Sequence, residues 1–105
     1  MGIALTQAYV DTNAGRLAFG AITGSYQTLL ATEGSVRKLL ITNSLDTEMV
    51  ISLNGGTTNW IYLPAQNNIM VDFDPSTHFW GTISVKHNGA APTVGAISAG
   101  IIKGQ

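Results

Sequence analysis

ISLNGGTTNWIYLPA, residues 51–65, places Asn54-Gly55-Gly56 between two apolar, β-branched and aromatic runs. A phosphate-binding glycine loop would open a helix, whose first N–H groups hold the anion, and would carry a Lys at a fixed offset. Here Thr57-Thr58-Asn59-Trp60-Ile61-Tyr62 follows Gly56, and no Lys stands in the segment. The glycines are better used as residues of positive φ, which an absent Cβ permits. Asn-Gly between alternating apolar runs is a hairpin signal. This stretch therefore predicts two paired strands, and it directs the reading of the chain toward architecture.

The same alternation extends outward on both sides. Met49, Ile51 and Leu53 alternate with Val50, Ser52 and Asn54; Ile61 and Leu63 alternate with Trp60 and Tyr62. Ile69, Val71 and Phe73, then Phe79, Ile83 and Val85, then Ile97, Ala99 and Ile101 repeat the pattern. Val36–Thr42, with Leu39 and Ile41 inward, and Tyr26–Ala31 add two more strands. A period of two is the mark of a strand with one buried face. Turn residues separate these runs at 33–35, 43–47, 54–56, 64–68, 74–77 and 87–93, and the gaps leave no room for helical crossovers. The twelve glycines interrupt most windows in which a helix would propagate. The expected fold is all-β: an antiparallel sandwich of about seven or eight strands, either a jelly roll or an immunoglobulin-like Greek key.

The first 24 residues lack a clean period. Ile3, Leu5, Tyr9, Val10, Leu17, Phe19 and Ile22 are too apolar for a solvated tail. The segment is read as an extended N-terminal arm (1–24) preceding the sandwich domain (25–105). Residues 1–14 are expected to order against a neighbouring subunit. For residues 16–22 an additional strand of the sandwich is the equal alternative.

Only 10% of the 105 residues are charged, against about a quarter in ordinary globular domains. The apolar fraction, 45%, is ordinary. Soluble monomers rely on surface charge for colloidal stability, so this exterior suits a chain covered by other subunits. A net charge of −1 with no basic stripe argues against nucleic acid as a partner. No apolar run is long enough to span a membrane, and the start of the chain does not read as a signal peptide. With no cysteine there are no disulfides or thiolate metal sites.

Catalytic chemistry is hard to assemble. His78 and His87 sit at strand ends, and no nucleophile–base pair presents itself. Asp72 and Asp74 share one strand face at about 7 Å along the backbone. Asp74, before Pro75, is read as a turn cap; calcium ligation by the two aspartates and a loop carbonyl is the alternative. No catalytic residue, metal or cofactor is assigned. Trp60, Tyr62 and Trp80 fall on the less apolar phase of their strands. Such aromatics serve as packing, as interface anchors or as stacking platforms for sugars.

Two stretches carry a further likeness: VRKLLITNSLDTEMVISLNGGTTNWIYLPAQNNIMVDF (36–73) and HFWGTISVKHNGAAPTVGAISAGII (78–102). Asn43-Ser44 with Asp46, Val50-Ile51-Ser52, Gly55-Gly56, Leu63-Pro64-Ala65, Gly81, Ile83, Val85-Lys86, Ala91-Pro92-Thr93 and Gly95 resemble the motifs of small β-sandwich virion proteins of tailed bacteriophages. The resemblance covers about the last two-thirds of the chain and rests mostly on turn residues. It implies a non-enzymatic head decoration or cement protein located in the virion, with the major capsid protein or other virion proteins as partners and self-association expected. A neck or tail component is the nearest alternative, and a carbohydrate-binding module using Trp60, Tyr62 and Trp80 is the alternative from another class. The interface candidates are Ile3, Leu5, Tyr9, Val10, Leu17, Phe19, Trp60, Tyr62 and Trp80.

Overall fold

The computed structural model describes residues 9–10, 15–31, 36–73 and 81–103. Among these residues the chain forms β1 (Tyr9–Val10), β2 (Gly15–Ala18), β3 (Gln27–Ala31), β4 (Val36–Asn43), β5 (Met49–Ser52), β6 (Ile61–Leu63), β7 (Asn67–Asp72), β8 (Thr82–His87) and β9 (Ala96–Lys103). A short 3-10 turn, Phe19–Ala21, is the only helical element among them.

The strands form two antiparallel sheets. One has the order β9-β4-β7, with β1 and β2 end to end along the other edge of β9. The other has the order β3-β8-β5-β6. Of the two Greek-key alternatives, the pairing selects the jelly roll. Strand β5 pairs with β6, β4 with β7, β3 with β8, and β2 with β9. The partners are nested, as in one long hairpin rolled up on itself. Contacts of β4 with β9 and β5 with β8 then close each sheet. Neither sheet is built from sequence neighbours alone: among the described pairs, only β5-β6 joins strands adjacent in chain order.

The hairpin predicted from Asn54-Gly55-Gly56 is β5-β6, in the register Met49↔Leu63, Val50↔Tyr62 and Ile51↔Ile61. Gly55 and Gly56 have φ of +73° and +97°, values that L side chains rarely adopt. The loop does not project into solvent. Gly55 N–H donates to the Thr82 carbonyl at 3.0 Å and Gly56 N–H to Ser52 Oγ at 2.9 Å. It lies across the outer face of its own sheet, which explains why Ser52 and Ser84, on that outward phase, are buried.

The core lies between the sheets. Leu39 and Ile41 from β4 and Ile97, Ala99 and Ile101 from β9 face Met49, Ile51, Ile83, Val85 and Leu63. These inward residues were expected from the alternation. Leu29 and Leu30 are consecutive yet both buried, because a bulge between Thr28 and Leu30 shifts the phase of β3. Ile22 and Leu45 come from the connections and join the same cluster.

Residues 15–18 are a strand of the sandwich, in the register Gly15↔Ala99 to Ala18↔Ala96. Of the two readings for residues 16–22, the added strand holds to Ala18 and the 3-10 turn follows. Tyr9 and Val10 pair with Lys103 and Ile102 of the same sheet. The arm reading of Ile3 and Leu5 lies outside the described residues.

Candidate interaction surfaces

One end of the jelly roll is held by a polar knot. Asn43 occupies the inward phase of β4, after Leu39 and Ile41, and is 1% exposed. Its Nδ2 donates to the carbonyls of Thr47, Leu63 and Pro64 at 3.1–3.2 Å, and its Oδ1 accepts from Leu45 N–H at 3.0 Å. Gln66 Nε2 donates to the Ser44 and Leu45 carbonyls. Asp46 accepts from Thr93 N–H at 2.9 Å and from Thr93 Oγ1 at 2.5 Å. Those bonds to Thr93 hold the Asp46 carboxyl below the ordinary carboxylate range. At Gly95, φ is +95° and a Cβ would stand 2.1 Å from the Ser44 carbonyl oxygen. Asn43, Ser44, Asp46, Leu63, Pro64, Thr93 and Gly95 all belong to the phage-like motifs. The resemblance is thus carried by the joints of the fold rather than by a reactive site.

The outer face of the β9-β4-β7 sheet presents a different chemistry. Register places Met70, Leu40 and Gly100 in one row across the three strands, with Asp72, Lys38 and Ile102 in the next. Leu40 is 39% and Met70 58% exposed. Together with Ile102 they line a shallow depression of about 200 Å³, floored in part by Gly100, where nothing lies within 4 Å of the missing Cβ. An exposed ion pair, Lys38 to Asp72 at 3.5 Å, edges it. Such a pair adds little stability, so Asp72 is a rim residue. Among the described residues no cluster of three His, Cys, Asp or Glu could hold a metal, and Asp74 lies outside them.

The outer face of the second sheet carries aromatics. Val50 pairs with Lys86 on one side and with Tyr62 on the other, and Tyr26 immediately precedes β3, whose first pair is Gln27↔Val85. Tyr26, Lys86, Val50 and Tyr62 therefore form one transverse row. The Tyr26 hydroxyl donates to Asn59 Oδ1, and Asn59 Nδ2 donates to Tyr62 Oη at 3.4 Å. Lys86 Nζ stands 4.7 Å from the Tyr26 ring centroid, within cation–π range. Val50 faces outward but is 1% exposed. Burial raises the Tyr26 pKa above the ordinary phenol value, and the neighbouring Tyr62 adds to the shift.

Among the described residues, the predicted interface residues do not gather at one site. Tyr62, 51% exposed, and Trp60, 37% exposed, lie together at the β5-β6 hairpin; Trp60 sits just before β6, with its N–H on the Ile51 carbonyl. Phe19, 43% exposed, stands apart at the Gly95 turn, donating its N–H to the Gly95 carbonyl. Leu17 is half-buried and packs against the core. Ile3, Leu5 and Trp80 lie outside the described residues, and for Tyr9 and Val10 only the backbone pairing is described. Leu40, Met70, Tyr26 and Asn59 were missed. Leu40 and Met70 had a signal: each is an apolar residue on the outward phase of its strand.

No protein-family model matches the chain, and no curated protein matches it. Its fold is similar to that of a solved structure of Bacillus endospore appendages, described as a family of disulfide-linked pili. The TM-score is 0.55 at 12% identity, over 94% of this chain and 89% of that one. At that identity the likeness speaks for the fold alone.

Proposed function

We propose that the protein is a non-enzymatic structural protein of a bacteriophage virion, a head decoration or cement subunit that bridges major capsid subunits. The observation that carries this reading is the uncovered apolar patch of Leu40 and Met70, with half-buried Ile102 beside it in the neighbouring row, on the outer sheet face. Contiguous apolar surface rimmed by polar residues is the signature of a protein contact. The scarcity of charge, 10% of residues, and the phage-like joint motifs support the same reading. A cement subunit works by burying area across joints between larger subunits. An interface of about 1,600 Å² is a standard specific contact, and many symmetric copies acting together make a modest per-copy affinity sufficient.

A binding assay on purified, undecorated heads tests this. Replacing Leu40 and Met70 together by Lys leaves the inward core untouched and should abolish or strongly weaken binding. Removing residues 1–14 tests the arm in the same assay, with folding followed separately because that cut also removes β1. Head binding at the parental level by the Leu40/Met70 variant would refute the reading.

The fold likeness favours a second reading, a subunit of a filament. The chain has no cysteine, so any such polymer would be held without disulfides. Placement at the neck or tail is the nearer variant of the first reading. Copy number separates these: hundreds per particle for decoration, six or twelve for a neck or tail ring, and an open-ended series for a filament.

A further inference from the structure

The row Tyr26–Lys86–Val50–Tyr62, with Asn59 and Trp60 at its edge, is a second surface with its own chemistry. It crosses all four strands of its sheet, so its backbone span is three interstrand gaps, about 14 Å. Tyr26 and Tyr62 stand on opposite edges of the sheet, yet their hydroxyls meet the same Asn59 amide. The two side chains therefore lean inward over the sheet. Tyr62 keeps 51% of its surface exposed and Trp60 37%. The underlying loop is fixed by Gly55 N–H on Thr82 and by Ser52 Oγ. A Cβ on Gly56 would press on the Tyr26 side chain at 2.9–3.0 Å, so the loop and the ring pack closely.

The polar groups decide which kind of ligand fits. Tyr62 Oη receives the Asn59 amide, and its own O–H has no acceptor among the described residues. The Lys86 ammonium has no carboxylate within 4 Å among the described residues; it stands over the Tyr26 ring instead. An apolar protein surface laid on this row would desolvate the Tyr62 O–H, the second Asn59 amide N–H and the Lys86 ammonium without pairing them, which costs free energy at each group. A sugar ring offers both halves of the match. Its C–H face stacks on an aromatic ring, and its rim hydroxyls exchange hydrogen bonds with phenol and amide. The unpaired ammonium adds a charge preference for a carboxylate.

We propose that this row is a binding site for a polysaccharide of acidic sugars. Tyr62 and Trp60 supply stacking faces, Asn59 and the Tyr62 hydroxyl bind ring hydroxyls, and Lys86 meets the carboxylate. This site is on the sheet opposite the Leu40–Met70 row and does not depend on the virion reading.

The test uses the full chain with two probes, hexagalacturonate and cellohexaose, followed by tryptophan fluorescence and calorimetry. Hexagalacturonate should bind saturably, and cellohexaose at least roughly tenfold more weakly. Tyr62→Ala and Asn59→Ala should each weaken hexagalacturonate binding roughly tenfold, the scale of one lost stacking or hydrogen-bonding contact. Lys86→Met should remove the preference between the probes. Both aromatic-row substitutions lie at an exposed hairpin, and a thermal melt of each variant confirms that it is folded. No saturable response to hexagalacturonate, equal affinity for the two probes, or unchanged affinity in Tyr62→Ala would overturn the assignment. So would a Tyr62→Ala protein that loses head binding while its sugar response stays intact, since the row would then be a protein contact.

Discussion

Asn43 is the most informative single residue for the fold. Its side chain is 1% exposed and makes four hydrogen bonds to the backbone of two connections. The bonds to Leu63 and from Leu45 are fully buried, and those to Thr47 and Pro64 partly so. Replacing Asn43 by Leu keeps the branch at Cγ, enlarges the side chain and removes every bond. A buried backbone group left unsatisfied costs about 1–3 kcal/mol. With water reaching the partly buried pair, the expected loss is about 4 kcal/mol in total, a large share of the 5–15 kcal/mol that holds a typical domain. For a chain of this size that corresponds to a drop in Tm of roughly 18 °C. Urea unfolding should show the loss as a lower midpoint with an unchanged slope. Asn43→Ala removes the same bonds without enlarging the side chain and should likewise lower the midpoint. If Asn43→Leu unfolds within about 1 kcal/mol of the parent, the network does not hold this end of the jelly roll.

Other outcomes follow from the same geometry. Gly95→Ala places a Cβ against the Ser44 carbonyl at a φ of +95° and should destabilise by about 2–4 kcal/mol in urea titration; a loss under about 0.5 kcal/mol would mean that the turn relaxes freely. The Asp46 carboxyl is held below its unfolded pKa by Thr93, so its contribution is present above the unfolded value and lost as pH falls through the folded one. The Tm gap between parent and Asp46→Ala at pH 7 should accordingly narrow as pH falls below about 4; a gap that does not narrow in acid would contradict the linkage. Ile83→Ala, in the fully buried core, should cost about 3–4 kcal/mol, whereas Leu40→Ala on the outer row should change stability by less than about 0.5 kcal/mol. Equal costs at the two positions would mean that the Leu40 face is covered within the subunit itself.

Local pattern revealed the strands and not their partners. The inward phase at Leu39, Ile41, Ile51, Ile83, Val85, Ile97 and Ile101 was legible because side chains alternate across a pleat. The Asn54-Gly55-Gly56 hairpin was legible because its partners are neighbours in sequence. Jelly roll and immunoglobulin-like sandwich share the same alternation, and the choice rests on long-range pairs such as β2 with β9, which no local window contains. The bulge in β3 hid Leu29 by breaking the period. Val50, Ser52 and Ser84 read as solvent-facing, but the loop and the aromatic row cover them. Asn43 carried a signal that was overlooked: a polar residue on the inward phase directly after two core aliphatics. Trp60 and Tyr62 were legible as outward aromatics; Tyr26 and Asn59 join them only through the fold, across 33 residues of sequence.

Where the Leu40–Met70 row, with Ile102 beside it, lies in an assembled particle decides whether this face is a capsid contact. Electron cryomicroscopy of purified virions, with the chain traced in the map, answers this directly. The expected result is many symmetric copies on the head, each with that row buried against capsid protein. Copies whose row faces solvent, or particles that lack the chain altogether, would contradict it.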